Sequence, residues 1–414
     1  MSLSISSAPP ASGLSEWVHI PTPGDHYSPG TGSAVITIVA ALARVQTEEG
    51  AGTPRVLVSK GTQNGYPPYP AGRIQESDFP PRSITALQKL ADVILGRVAS
   101  CRPFTGGLYL ELAESLCADF CGVLLVHNQP AAILPLRRRF PKASLVLYAH
   151  NEAFGTYSRA ETLKIFRAVN LVVCCSGFLA RSLWAKVPKE DAHKVKTILN
   201  GVDTSSFFPK KQNPRRGDAA LNILFVGRMI PPKGACLLLQ AAALLHQRRR
   251  SANIPPFRVR LVGSSNFNPT DPLTPYERSL RELAAPLGEL VEFLPFAKRD
   301  KIPSMYQEAD IFVAPSNWDE PFGLTVAEAM ACGLPCIVAR RGGIPEAAGK
   351  AALYFTPPHP AQIADHLEYL LTHPKARRVL GARARARALE LSWASRFKCL
   401  QHEIQQASQT LNTQ

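Results

Sequence analysis

Two carboxylates with seven residues between them, Glu320 and Glu328, stand in the stretch PSNWDEPFGLTVAEAMACGLPCIVARRGGIPE at 315–346. Between them Phe322, Gly323, Leu324 and Thr325 open a segment with helical apolar spacing, just after a strand-like run that ends near Pro315. A glycine at such a point lets backbone N–H groups approach a ligand closely, and a helix N-terminus favours a negatively charged phosphate. The flanking carboxylates can accept hydrogen bonds from hydroxyls on either side of it. A second stretch, ILFVGRMIPPKGACLLLQAAALL at 223–245, puts Gly227 and Arg228 at the end of a strand and Lys233 and Gly234 at the start of a helix. Two fixed cations there can stabilise the negative charge that grows on the oxygens of a departing diphosphate.

The acidic block resembles the signature of retaining GT-B glycosyltransferases of the glycosyltransferase family four (group 1) type. The resemblance implies that Glu320 holds hydroxyls of the transferred sugar, Glu328 the ribose, and the backbone from Phe322 through Gly323 and Leu324 to Thr325 the diphosphate, with Arg228 and Lys233 as the diphosphate-binding pair. In HYSPGTGSAV at 26–35, the turn with Gly30 and Gly32 resembles the family's glycine-rich turn, though Thr31 separates the glycines. His150 in LYAHNEAFG follows a strand and matches by order the family's histidine at the cleft; His127 in VHNQP is a further candidate on the acceptor side. Gly263-Ser264 and Pro295-Phe296 also follow strands and are expected beside the nucleotide base, while Gly342-Gly343 and Glu346 extend the pattern as a turn and a helix cap.

The same resemblance implies hexosyl transfer with retention from a nucleotide sugar, expected to be a UDP-sugar, to a glycan or lipid-linked acceptor, with no cofactor. No Asp-x-Asp motif occurs in a suitable context, so no essential divalent ion is expected. An epimerase or hydrolase of the same architecture is an alternative enzyme. A non-catalytic assembly subunit that binds nucleotide sugar is another, marked by loss of the acidic or basic pairs; here all four residues are present.

Such groups need rigid elements behind them. The chain has 414 residues with 45% hydrophobic and 19% charged, enough to bury two cores. Short β-branched runs alternate with helical patterns, the mark of βαβ units and parallel sheets. Strands are read at 17–20, 55–59, 122–126, 144–150, 171–175 and 195–199, then at 222–227, 258–262, 291–294, 311–314 and 336–339. Periodicity pauses at FFPKKQNPRRGDA, 207–219. The expectation is an α/β chain of GT-B type: two Rossmann-like, doubly wound domains facing an interdomain cleft. Residues 1–206 would bind acceptor, 207–219 link, 220–390 bind the nucleotide-sugar donor, and 391–414 form a helix packing back on the first domain. The stretch Gly381 to Leu389 reads as an exposed helix.

A net charge of +15 draws the protein toward phosphate-rich partners, and Arg137 to Arg139, Arg248 to Arg250 and the 383, 385, 387 arginines are the basic runs. They read as solvated helix faces or as a footprint on acidic lipid. Nucleic acid is disfavoured, because no basic-aromatic interleaving or zinc-finger spacing accompanies the charge. Nine cysteines in neither metal nor disulfide spacing, no secretory signal and no membrane-spanning run lead to a cytoplasmic expectation, with peripheral contact at the inner membrane face.

Overall fold

The computed structural model describes residues 16–210, 220–249, 253–266 and 270–409, so most of the expected linker lies outside the described residues. The first sheet contains β1 (Trp17–Ile20), β2 (Arg55–Val58), β3 (Arg73–Glu76), β4 (Val123–His127), β5 (Ser144–Ala149), β6 (Leu171–Cys174) and β7 (Val195–Thr197), in the order β3-β2-β1-β4-β5-β6-β7. The second contains β8 (Leu221–Val226), β9 (Phe257–Val262), β10 (Val291–Leu294), β11 (Ile311–Ala314), β12 (Cys336–Ala339) and β13 (Leu353–Phe355), in the order β10-β9-β8-β11-β12-β13. All neighbouring strands run parallel. β1, β4, β5, β6, β11 and β12 are buried along their whole length, which is why they are mostly apolar: helices cover both faces of such a sheet.

Two strands escaped the sequence reading. β3, RIQE, is a partly exposed edge with no apolar run, and β13 is only three residues long. One helix is also misread by composition. Gly381 to Leu389 belongs to a helix over Pro374–Glu390 that buries Gly381, Ala384 and Ala388 against the helix Leu324–Ala331, so its small residues form a packing face rather than a fully solvated one.

Strand order sets where ligands can gather. In each sheet the order reverses once, between β1 and β4 and between β8 and β11, and the crevice at such a reversal opens beyond the carboxyl ends of the strands. The loops after β8 and β11 carry the basic and the acidic blocks.

The final helix, Trp393–Gln409, crosses back to the first sheet. Trp17 and Phe397 meet with ring centroids 5.4 Å apart. The hydroxyls of Ser144 and Ser408 lie 3.0 Å apart, and Lys196 pairs with Glu403 at 3.0 Å. Arg385 fastens the crossing chain: its guanidinium donates to the carbonyls of Phe207 at 2.9 Å and Ala331 at 2.6 Å.

Candidate active site

Lys233 and Glu320, 87 positions apart in sequence, meet at the reversal of the second sheet: Nζ lies 2.6 Å from Oε1. Ser316 also donates to that carboxylate oxygen, at 2.9 Å. The Lys233 ammonium sits 5.6 Å from the Trp318 ring centre. Two glycines permit this approach. At Gly234, with φ +71°, a Cβ would fall 1.8 Å from the Pro315 carbonyl oxygen, so any side chain would push the basic block off the acidic one. At Gly342, with φ +55°, a Cβ would stand 2.2 Å from the Glu320 carbonyl, which Gly343 N–H bonds at 2.7 Å.

Phe322 is buried at 2% exposure, so that position can offer a ligand only its backbone. Gly323 caps the helix Leu324–Ala331, and the N–H groups of Leu324 and Thr325 precede the helix's first internal acceptor, leaving them aimed out of its N-terminus. Glu328 lies one turn further on, buried at 4% exposure. Its carboxylate is held by Arg299 at 2.5 Å and by the Tyr306 hydroxyl at 3.3 Å. Burial disfavours the Arg299 charge, but the Glu328 carboxylate outweighs it and the guanidinium pKa is raised; burial and Glu328 together push the Tyr306 phenol well up, keeping it a neutral donor. Sequence reading missed Arg299 and Tyr306. Arg299 stands in the turn after β10 and Tyr306 in the helix Ile302–Gln307, and only the fold brings both to Glu328.

Arg228 follows β8, and its Nε donates to the Ser265 carbonyl at 3.0 Å. The Gly227 and Gly263 amides donate to Val262 and Leu294, each at 3.0 Å, and that of Phe296 donates to the Ser264 hydroxyl at 3.1 Å. The N–H groups of these three positions are committed to the protein itself. In the first domain Gly30 accepts no such role directly: its N–H is held by the Ser28 hydroxyl at 3.1 Å, which in turn donates to Pro67 O at 2.7 Å, fixing the Gly30–Gly32 turn beyond β1.

His150 follows β5 and is the last of three imidazoles in a row. His19 Nδ1 lies 3.1 Å from His127 Nε2, and His127 Nδ1 lies 2.8 Å from His150 Nε2. The outer atoms, His19 Nε2 and His150 Nδ1, have no hydrogen-bond partner among the described residues. Burial lowers His19 and His150 from 6.5 to about 3, and burial with its two neighbours lowers His127 well below the ordinary value. All three are therefore neutral near pH 7, and the Nδ1 of His150 is itself buried. The stability consequence has a definite sign. In the unfolded chain these rings take up protons as pH falls through 6.5, while the folded chain resists until about 3. Stability is thus full above 6.5 and declines as pH drops from 6.5 toward 3. The melting temperature should fall across that window, and His19→Gln should flatten the fall; a melting temperature unchanged from pH 7 to pH 4 would contradict it.

The domains touch beside this site. Glu346, on the second domain, accepts from Gly177 N–H at 2.5 Å and Phe178 N–H at 2.7 Å, capping the first-domain helix Gly177–Trp184, and Arg181 adds a contact at 3.3 Å. Cys175 Sγ reaches both the His150 carbonyl at 3.8 Å and the Pro321 carbonyl at 3.9 Å, so the histidine row abuts the acidic block across the cleft. Each charge-assisted bond of this kind is worth about 1.5–3 kcal/mol before solvent screening. Glu346→Ala should open the cleft, read as a larger radius of gyration by small-angle scattering of the ligand-free protein; an unchanged radius would show that closure rests elsewhere.

Comparison with known proteins agrees with this architecture. The family model for glycosyl transferases group 1 matches residues 208–387. Spore coat protein SA of Bacillus subtilis (strain 168) is 32% identical over 282 residues, covering 64% of this chain and 73% of that protein. A D-inositol 3-phosphate glycosyltransferase of Frankia alni is 36% identical over 214 residues, covering 50% of this chain and 51% of that one. Among solved structures, sucrose-phosphate synthase from Thermosynechococcus elongatus superposes with a TM-score of 0.72 at 20% identity, over 94% of this chain and 98% of that one. Anabaena Alr3699/HepE in complex with UDP-glucose superposes with a TM-score of 0.63 at 18% identity, over 96% of this chain and all of that one. The fold is GT-B, two Rossmann-like domains with parallel sheets of seven and six strands. The chain belongs to the group 1 glycosyltransferases.

Proposed function

We propose that this chain is a retaining glycosyltransferase that moves a hexosyl unit from a UDP-sugar to a hydroxyl of a glycan or lipid-linked acceptor. The observation that carries the reading is the meeting of Lys233 and Glu320 at the reversal of the second sheet, 2.6 Å apart, beside an open helix N-terminus. A cation, a nest of N–H donors and a carboxylate at one place suit a pyrophosphate joined to a sugar. When donor binds, its phosphate takes the Lys233 ammonium and its sugar hydroxyls take Glu320, each replacing the partner it holds in the free protein. Arg228 serves the far phosphate, Glu328 the ribose, within a cage already set by Arg299 and Tyr306.

The chemistry then follows from position. The acceptor oxygen attacks the anomeric carbon from the face that the diphosphate leaves; the bond from that carbon to the phosphate oxygen breaks, and the acceptor proton passes to the leaving oxygen. No side chain acts as nucleophile. Rate comes from alignment and from cations that neutralise the departing charge. His150, neutral at the cleft, would steady a sugar hydroxyl. A UDP-glucose complex of a protein with this fold supports UDP over other bases.

A melting series with UDP, GDP and ADP tests the donor assignment. A ligand of the native state at a hundred times its Kd adds about 2.7 kcal/mol, a rise of roughly 3 °C for a chain of 414 residues. UDP is expected to give the largest rise. No rise with any of the three would remove the nucleotide-sugar reading, and a larger rise with GDP or ADP would replace its base.

A further inference from the structure

In each of the arginine runs that stand out in the sequence, one member is committed to the protein itself. Arg137 donates to the carbonyls of Ala168, Pro141 and Ala143 at 2.9, 2.9 and 2.8 Å, Arg248 pairs with Asp365 at 2.7 Å, and Arg387 reaches the Glu346 carbonyl at 2.7 Å. The conspicuous surface lies elsewhere, on the first-domain helix Ala86–Ala99. Leu87, Leu90, Ile94 and Val98 are 79%, 57%, 53% and 82% exposed. Their spacing of three, four and four residues lines them along one face of the helix. Four large apolar side chains in one exposed stripe are not the scattered kind that needs no explanation.

The exposed charges on this helix and on the helix Arg159–Ala168 beside it have one sign. Lys89 and Arg97 are exposed on the same helix, and Arg159, Lys164 and Arg167 are exposed on the adjoining helix Arg159–Ala168, whose Lys164 ammonium lies 3.4 Å from the Ala99 carbonyl. Both helices also carry one acid, and both acids are buried and satisfied within the fold. Asp92 accepts from Phe104 N–H at 3.1 Å and from Thr105 N–H at 2.8 Å, while Glu161 pairs with Arg102 at 2.7 Å. An apolar ridge whose own helix exposes only cations complements a bilayer interface bearing anionic headgroups, and it matches the physics of a helix lying in the plane of the membrane.

We propose that the helix Ala86–Ala99 docks the protein on an anionic phospholipid bilayer, with Leu87, Leu90, Ile94 and Val98 entering the headgroup boundary and the flanking lysines and arginines holding the phosphates. The stripe ends near the cleft: Arg102, just past the helix, donates to the Thr156 hydroxyl at 3.0 Å and its carbonyl at 2.7 Å, in the loop that follows His150. That placement would bring a lipid-linked acceptor to the cleft mouth, a consequence that rests on the function proposed above; docking itself does not.

The test is flotation of the full chain with vesicles of phosphatidylcholine alone or mixed in equal parts with phosphatidylglycerol. The wild type should float with the mixed vesicles and release as salt is raised. Lys89→Gln with Arg97→Gln should weaken that binding about 25-fold, at about five-fold per cation. Replacing Leu87, Leu90, Ile94 and Val98 by serine should abolish it, with circular dichroism and the nucleotide-induced melting shift kept, so that lipid docking and the donor site are read separately. Failure of the wild type to float, or equal flotation of the serine variant, overturns the proposal. So does a wild-type dimer that the serine variant converts to monomer without any flotation by either, which would assign the stripe to a second copy of the chain.

Discussion

Lys233→Ala should lower kcat by about 10²–10³ while the affinity for the free nucleoside diphosphate changes far less. The reason is when the charge appears. In the bound donor the phosphate charge is shared between two esterified groups, and a single ammonium adds modestly to a grip that backbone N–H groups also supply. On the proposed function, a full negative charge gathers on the oxygen beside Lys233 as the bond to the sugar breaks, in a partly water-excluded crevice where a fixed cation acts most strongly. Lys233 is held where it is by Gly234, whose missing side chain lets the Pro315 carbonyl come close. Arg228→Ala should act in the same direction. Measured kcat and the nucleotide Kd separate the two effects, and a variant with unchanged kcat would remove Lys233 from the transition state.

Glu320→Gln should split binding from transfer with opposite signs. Glu320 is the partner of Lys233 in the free protein, at 2.6 Å, so neutralising it releases the ammonium and should leave UDP affinity equal or tighter. The same change removes a charged acceptor for sugar hydroxyls, worth about 1.5–3 kcal/mol per hydrogen bond, and should cut transfer by roughly 10- to 100-fold. Calorimetry with UDP and a transfer assay on one protein sample check it. Weaker UDP binding together with intact transfer would exchange the roles of Glu320 and its neighbours.

What the sequence disclosed follows how locally each feature is encoded. The acidic block is legible because its carboxylates, glycine and helix start lie within one loop and the turn that follows it, so order along the chain is nearly order in space. Fully buried parallel strands are legible for a related reason: β4 and β5 read as apolar runs whatever packs on them. The histidine row is not, since His19 and His127 are 108 positions apart and meet only because β1 and β4 adjoin at the reversal of strand order. Composition misled where a side chain's partner is a backbone carbonyl. Arg137 and Arg385 sit among other arginines in sequence, yet each bolts main-chain segments together, while the cations of the helix Ala86–Ala99 stand singly and form no run. The partners of Glu328 were hidden similarly: Arg299 stands in a turn and Tyr306 in the short helix Ile302–Gln307, which only tertiary packing brings beside the helix Leu324–Ala331.

The account stands or falls on where the nucleotide goes, and hydrogen–deuterium exchange with and without the nucleoside diphosphate chosen by the melting series reads that directly. Protection is expected in two short stretches far apart in sequence, around 227–235 and 316–328, with the first domain slowed only where it faces them. Protection confined to other segments, or to one of the two stretches alone, would contradict a donor site shared by Arg228, Lys233, Glu320 and Glu328.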